Sequence, residues 1–149
     1  MPGTYTNLLY HIVFSTKERQ PLITPDVKEE LYRYIGGIIR AEGGKLLEIG
    51  GIEDHVHIVA KLKPAIAVSD ALRLIKANSS KWTNEGKSKM RFAWQEGFGA
   101  FSVSESQVEP VAQYIRHQEE HHQVQTYREE FVSLLERHGV EYDPRYLWD

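Results

Sequence analysis

Two histidines at alternate positions of a short apolar segment have the clearest chemical potential in this sequence. The segment is Asp54-His55-Val56-His57-Ile58-Val59. Successive side chains of a β-strand point to opposite faces, so His55 and His57 share one face while Val56 and Ile58 pack on the other. Two neutral imidazoles side by side provide part of a divalent-metal site. The alternative is a pair of strand histidines held by ordinary hydrogen bonds.

A tyrosine and a glutamine far along the chain could complete such a site. Tyr114 and Gln118 are four positions apart in a segment with helical periodicity, so they share a helix face, which His121 extends by a turn. If this helix crosses the histidine strand, the amide oxygen of Gln118 can join the metal shell while the Tyr114 hydroxyl points at a substrate phosphate. The alternative is that Tyr114 is a packing residue and Gln118 is solvated.

Length and composition restrict the class of protein. The chain has 149 residues, of which 41% are hydrophobic and 26% charged, so we expect one domain spanning residues 1–149. The absence of cysteine excludes disulfides and thiolate zinc sites and is compatible with a reducing cytoplasm. No segment reaches the ~18 apolar residues that span a bilayer, and the start lacks a signal-peptide pattern. We therefore expect a soluble, unprocessed cytoplasmic protein that does not enter a membrane.

Charge is unevenly distributed along the chain. The overall charge of −3 argues against a general nucleic-acid coat protein. However, residues 61–91 contain eight basic and two acidic residues, a net charge of +6, whereas residues 104–149 contain four and ten, a net charge of −6. With Trp82, Phe92 and Trp94 nearby, the basic segment could follow a phosphate backbone and stack unpaired bases. The alternative is a solvated helix face beside core aromatics.

The predicted elements follow a β-α-β-β-α-β order with helices appended. They are a strand at 8–15, a helix at 25–41, strands at 45–49 and 55–62 joined around Gly50-Gly51, a helix from about 69 through 77, a strand at 94–103 interrupted by Gly97 and Gly99, and helices at 107–123 and 126–137. Thr24 and Pro25 start the first helix, and Gly43-Gly44 ends it. This order favours an α+β fold with an antiparallel sheet of ferredoxin-like or RRM-like type, helices on one face and added C-terminal helices.

Several motifs together resemble one known family. They are Tyr10-His11-Ile12-Val13-Phe14, Thr16-Lys17 with Arg19, Asp54-His55-Val56-His57, Phe101-Ser102-Val103-Ser104, Tyr114-Ile115 with Gln118, His121-His122, and Glu129-Glu130-Phe131 before Leu134-Leu135. In order and spacing, over nearly the whole chain, they resemble the single-tyrosine transposases of insertion sequences, of the IS two-hundred type, in the His-hydrophobic-His (HUH) endonuclease superfamily.

The resemblance implies a metal-dependent enzyme that cleaves single-stranded DNA and transfers the strand. His55, His57 and Gln118 would bind the metal, Mg²⁺ with Mn²⁺ as a substitute, and Tyr114 would be the nucleophile that forms a 5′-phosphotyrosine intermediate. The DNA would be hairpins at the ends of a mobile element, so the protein would associate with the nucleoid when bound to DNA. Family members also form homodimers with composite active sites, in which the tyrosine helix serves the partner's histidine pair.

Other residues are assigned supporting roles. His121 and Asp54 are candidates for contacts around the ligands, although strand alternation predicts that Asp54 faces away from His55 and is structural. The candidate DNA contacts are the basic residues Lys17, Arg19, Lys76, Lys81, Lys87 and Lys89. Two alternatives remain open: a domesticated relative that nicks hairpins in its host chromosome, and a non-catalytic nucleic-acid-binding module.

Overall fold

A four-stranded antiparallel sheet lies at the centre of the fold. In the computed structural model, which describes residues 2–86 and 90–148, the strands are β1 (Leu8–Ser15), β2 (Lys45–Ile52), β3 (His55–Leu62) and β4 (Gly99–Ser102). Their order across the sheet is β2-β3-β1-β4. The helices are α1 (Pro25–Ala41), α2 (Val68–Asn84), α3 (Val108–Arg116), α4 (Gln118–His121) and α5 (Tyr127–Arg137). The predicted α+β fold with an antiparallel sheet is confirmed.

One face of the sheet is apolar. In the two central strands Ile12 pairs with Ile58 and Phe14 pairs with Val56, and all four side chains are fully buried. The apolar stripes of α1 and α2 pack over them and form the main core, to which Leu31, Ile35, Ile39, Leu72 and Ile75 belong. Burial of this apolar surface is the principal source of stability.

The opposite face carries the histidines and is covered by the C-terminal helices. Val13 on β1 packs with Phe101 on β4 and with Phe131 and Leu134 on α5 in a second, smaller core. A capping box starts α5, because Thr126 accepts from the backbone of Glu129 and the Glu129 side chain accepts from the Thr126 backbone. The appended helices therefore cover the second face of the sheet.

The turn predicted at Gly50-Gly51 is wrong. Strand β2 continues through both glycines to Ile52, and the hairpin turns at Glu53-Asp54. Gly50 is required for a different reason, since a Cβ atom there would lie 2.6 Å from the carbonyl oxygen of Ile115 on α3. The glycine pair thus marks a close approach of a helix to the sheet rather than a turn.

Other predicted bounds also differ from the structure. The helix expected at 107–123 is interrupted at His117, whose φ of −102° and ψ of 26° separate α3 from α4. Helix α2 continues to Asn84, beyond the predicted end. The strand expected at 94–103 is reduced to β4 and an isolated bridge between Trp94 and Thr16.

The aromatic residues in and beside the basic segment belong largely to the core. Phe92 and Trp94 are buried in the main core, and the Trp82 ring stacks on Tyr34 at a centroid distance of 4.8 Å. In the described residues, no helix is long and apolar enough to cross a membrane.

Candidate active site

The two strand histidines lie on the sheet face beneath the C-terminal helices. His55 and His57 are fully buried, and their ring centroids are 5.2 Å apart. The Nε2 atom of His55 donates to Gln118 Oε1 at 2.8 Å, and the Nε2 atom of His57 donates to Glu130 Oε1 at 2.9 Å. Both Nε2 atoms therefore face the same small polar space between the sheet and α4 and α5.

The other nitrogen of each ring is held by a neighbouring group. His55 Nδ1 donates to Asp54 Oδ1 at 2.8 Å, and a hydrogen bond of 2.9 Å joins His11 Nε2 to His57 Nδ1. The expectation that Asp54 faces away from His55 is wrong, because Asp54 lies in the turn before β3, where strand alternation does not apply. Such anchoring fixes ring orientation and is common around metal-binding histidines.

Helices α3 and α4 bring the predicted tyrosine and glutamine to the histidine pair. Gln118 is 1% exposed, and its Nε2 atom donates to Glu130 Oε2 at 2.8 Å. The Tyr114 hydroxyl donates to the same carboxylate oxygen, and the Tyr114 ring lies 5.7 Å from the His57 ring. His121 stacks on the Tyr114 ring at 4.6 Å, which places it beside the phenol.

Glu130 was not assigned to the site from the sequence, whereas one of His121 and His122 was expected to lie near the phosphate, with a solvated helix end as the alternative. The Glu130 side chain is 2% exposed and joins both histidines, Gln118 and Tyr114. His122 Nε2 donates to Glu130 Oε1 at 3.0 Å. A signal for Glu130 was present, because it falls on the apolar stripe that Tyr127, Phe131 and Leu134 define along α5. A carboxylate on such a stripe needs buried partners.

The site combines a buried negative charge with a positive one. Burial alone would raise the pKa of Glu130, but hydrogen bonds from His122, His55 and His57 outweigh it and hold that pKa well below the usual range. Burial would lower the pKa of His55, but its hydrogen bonds to Asp54 and Glu130 raise it to about 9. Burial lowers the pKa of His57, so this ring is neutral. Glu130 is therefore an anion at neutral pH.

The donor set fits a divalent cation. Neighbouring ligands of a six-coordinate ion with bonds of about 2.1 Å lie about 3.0 Å apart. The candidate ligand atoms have such separations: 2.8 Å from His55 Nε2 to Gln118 Oε1, 2.9 Å from His57 Nε2 to Glu130 Oε1 and 3.4 Å from His55 Nε2 to Glu130 Oε1. Donor atoms of His55, His122 and Glu130 all lie within 4.8 Å of one another. Imidazole, amide and carboxylate donors together suit several divalent metals.

A cleft opens beside the phenol. It has a volume of about 390 Å³, and His11, Tyr114, Arg137 and His138 are among the residues that line it. The Tyr114 side chain therefore forms part of the cleft wall.

The candidate DNA contacts differ in their surroundings. Lys17 and Lys81 are exposed, and the Arg19 guanidinium lies 5.8 Å from the centre of the Trp148 ring. The Lys76 ammonium is bound by the carbonyl oxygens of residues 95–97, at 2.9, 3.1 and 2.6 Å, and burial lowers the pKa of Lys76 to about 8. Lys87 and Lys89 lie outside the described residues.

Comparison with known proteins identifies the family. The family model described as "Transposase IS200 like" matches residues 4–118. The transposases for insertion sequence element IS200 from Salmonella typhimurium and Salmonella typhi are each 26% identical to this chain over 125 residues, covering 77% of this chain and 79% of theirs.

Two solved structures share the fold. A candidate transposase from Deinococcus radiodurans R1 superimposes with a TM-score of 0.63 and 22% identity, covering 79% of this chain and 95% of its own. A REP-associated tyrosine transposase bound to a REP hairpin superimposes with a TM-score of 0.61 and 16% identity, covering 82% of this chain and 73% of its own. Since the family model matches most of the chain, this protein belongs to the IS200-like transposase family.

Proposed function

We propose that this transposase cleaves and rejoins single-stranded DNA through a covalent 5′-phosphotyrosine at Tyr114. The observation that carries the proposal is the meeting of Tyr114, Gln118 and the two strand histidines around one buried carboxylate. A protein that only binds nucleic acid needs no phenol beside a metal-binding donor set. The arrangement therefore favours catalysis over the non-catalytic binding module.

The proposed reaction exchanges one phosphate ester for another. Tyr114 Oη attacks the phosphorus of the scissile phosphodiester, the bond to the 3′ oxygen breaks, and the 5′ phosphate becomes linked to the tyrosine. The phenol loses its proton, and the departing 3′ oxygen gains one to become a hydroxyl. Because the new linkage is again a phosphodiester, another 3′ hydroxyl can attack it and reseal the strand without ATP.

The chain's own residues prepare the nucleophile. Burial and the neighbouring Glu130 raise the pKa of Tyr114, so the phenol is protonated in the resting site and donates to the carboxylate. This hydrogen bond fixes the direction of the hydroxyl. We propose that His55, His57 and Gln118 hold Mg²⁺, or Mn²⁺ in its place, and that this ion supplies polarisation of the phosphate and stabilisation of the leaving oxygen.

We propose hairpins at the ends of a mobile element as the DNA substrate. The REP-associated neighbour is bound to a hairpin, which supports this class of partner. The cleft beside Tyr114 has the cationic Arg137 on its wall, which suits a phosphate backbone. Lys17, Arg19 and Lys81 remain candidate contacts on the exposed surface, whereas the three carbonyl partners of Lys76 favour a structural role.

We further propose that the protein acts as a homodimer. In this structure Tyr114 contacts the histidine pair of its own chain, so one chain holds all the proposed residues. Mixing the Tyr114→Phe and His57→Ala variants would show whether Tyr114 acts on the histidine pair of its own chain or on that of the partner chain. Recovery of cleavage by the mixture is expected if active sites are composite, and no recovery is expected if each chain uses its own tyrosine.

The test of the proposed reaction is formation of a covalent adduct. Labelled single-stranded hairpins, including the sequences that flank this gene, would be incubated with protein and Mg²⁺ or Mn²⁺ and separated under denaturing conditions. We expect a metal-dependent adduct that disappears in Tyr114→Phe. Tyr127→Phe is the matched control, because the Tyr127 ring lies 4.5 Å from the His55 ring and is the competing phenol.

The possible outcomes separate the candidate functions. An adduct that survives in Tyr114→Phe and is lost in Tyr127→Phe would overturn the assignment of the nucleophile. Hairpin binding without any adduct would favour the binding module instead. Cleavage of dispersed chromosomal hairpins, with no element ends beside the gene, would favour the domesticated relative.

A further inference from the structure

Glu130 occupies the centre of the site although it lies outside the segment that the family model matches. The match ends at residue 118, whereas Glu130 is in the first turn of α5. Its Oε1 atom is 2.9 Å from His57 Nε2, 3.0 Å from His122 Nε2 and 3.4 Å from His55 Nε2. Three imidazole nitrogens from two separate parts of the chain thus converge on one carboxylate oxygen.

This convergence also suits a cation. Hydrogen bonds from His57 and His122 use the two lone pairs of Glu130 Oε1. His55 Nε2 donates to Gln118 Oε1 and lies 3.4 Å from the same carboxylate oxygen. A cation in place of the donated hydrogens could bind the three nitrogens and the carboxylate oxygen as ligands. The Gln118 Oε1 atom belongs to the same group, at 2.8 Å from His55 Nε2 and 3.1 Å from His122 Nε2.

The position of Glu130 is fixed by the rest of α5. The capping box at Thr126 and Glu129 sets the residue at which the helix begins, and the neighbouring Phe131 packs into the second core. The Tyr127 ring lies against the His55 ring, one turn before Glu130. A carboxylate that is positioned in this way contributes a preorganised donor, not a flexible surface charge.

We propose that Glu130 is a further protein ligand of the divalent metal, beside His55, His57 and Gln118, and that α5 is therefore part of the metal site. The inference rests on the proposed function, because it concerns the same cation. One carboxylate oxygen would bind the metal while the other holds the Tyr114 hydroxyl and the Gln118 amide, as it does in this structure. Glu130 would thus connect the metal site to the nucleophile.

The test measures metal binding directly. Mn²⁺ affinity of the full chain would be determined by calorimetry without DNA, for wild type, Glu130→Gln and the matched control Glu136→Gln. Glu136 lies on the same helix and is exposed. We expect Glu130→Gln to weaken Mn²⁺ binding at least about tenfold and Glu136→Gln to change it by less than about twofold. Visible absorption of bound Co²⁺ is expected to change in Glu130→Gln only, because one ligand differs.

The outcomes separate this inference from the proposed function. Equal Mn²⁺ affinity and an unchanged Co²⁺ spectrum in folded Glu130→Gln would overturn the inference, even if wild type forms the adduct. Failure of wild type itself to bind Mn²⁺ would overturn both. If circular dichroism shows that Glu130→Gln is unfolded, Glu130→Asp decides the question. It keeps the charge but shortens the side chain, so a ligand role predicts weaker binding and an altered Co²⁺ spectrum, and unchanged values would overturn it.

Discussion

The two faces of the sheet are built by the same strands but have opposite composition. On β1 and β3 the residues Ile12, Phe14, Val56 and Ile58 point to α1 and α2 and form an apolar core. Their neighbours in the sequence point to α3, α4 and α5, where two histidines, an amide and a carboxylate are buried together. Because successive side chains of a strand alternate, neighbouring residues of β1 and β3 belong either to the apolar core or to the histidine face.

The two faces also differ in how their polar atoms are satisfied. Among the described residues, the one buried side-chain polar atom without a hydrogen-bond partner is the Tyr32 hydroxyl, on α1 at the apolar side. On the histidine face, none of the described buried side-chain polar atoms lacks a partner. A polar cluster is tolerated inside a protein when every member has a partner, and the site meets that condition.

The largest expected effect comes from removing apolar contact beneath the site. Ile58→Ala is expected to lower the free energy of unfolding by about 2–5 kcal/mol, because Ile58 is fully buried and its loss leaves a cavity. Mn²⁺ affinity of the folded fraction should change by less than about twofold. Denaturant titration and calorimetry measure the two quantities. A large loss of metal affinity in Ile58→Ala would show that the faces are not independent.

Acid is expected to destabilise the histidine face. Burial and the nearby His57 lower the pKa of His11 from 6.5 in the unfolded chain to about 3. Between these values the unfolded chain binds more protons, so the free energy of unfolding falls as pH falls, by at most about 1.4 kcal/mol per pH unit. This dependence of stability on pH is expected for chelator-treated protein. The other titratable or charged groups that face His11 there are Glu130, Arg137 and His138.

The measurement for His11 is a comparison of slopes. Unfolding free energy would be followed from pH 7 to about pH 4 in wild type, His11→Gln and the exposed control His117→Gln. We expect a shallower dependence only in His11→Gln. Identical slopes in all three proteins would mean that the buried imidazole does not set the acid response.

A smaller effect on the free energy of unfolding is expected from replacing Lys76, whose ammonium group lies on the apolar side of the sheet. Lys76→Met removes hydrogen bonds to three carbonyl oxygens and should lower the free energy of unfolding by about 1–2 kcal/mol, a figure reduced for partial exposure. Lys81→Met, on the exposed surface of the same helix, is the control and should be near neutral. A reduced salt dependence of hairpin binding in Lys76→Met at unchanged stability would instead assign Lys76 to DNA.

The smallest expected effect is a gain in stability. Tyr32→Phe removes the unpartnered hydroxyl and should raise the free energy of unfolding by about 1 kcal/mol. Differential scanning calorimetry would detect the corresponding rise in Tm. A loss of stability would indicate that the hydroxyl has a hydrogen-bond partner in solution. The buried polar atoms of the apolar side would then be hydrogen-bonded as fully as those of the histidine face.

Local sequence signals were sufficient for the elements that build the site. Alternation in β3, the Thr24-Pro25 start of α1 and the Thr126 start of α5 depend on neighbouring residues, so their approximate bounds could be predicted. The shared face of Tyr114 and Gln118 also follows from their spacing. Despite the break at His117, both residues reach the same carboxylate.

Features that depend on tertiary contact could not be predicted in this way. Glu129 and Glu130 are adjacent acids in the first turn of α5, yet one caps the helix and the other enters the site. Asp54 was misplaced because the turn before β3 begins later than the glycine pair suggested. Nothing local in the sequence shows that α3 lies on β2 closely enough to require Gly50.

The contact between Gly50 and the Ile115 carbonyl limits how this transposase can be redesigned. Side chains between a helix and a sheet can usually repack, but the carbonyl oxygen of Ile115 is backbone and would lie only 2.6 Å from a Cβ atom of residue 50. The spacing between strand and helix is therefore a fixed dimension of the scaffold, and Tyr114 immediately precedes Ile115 on α3. We thus expect any side chain at residue 50 to push α3 away from the sheet and to displace Tyr114.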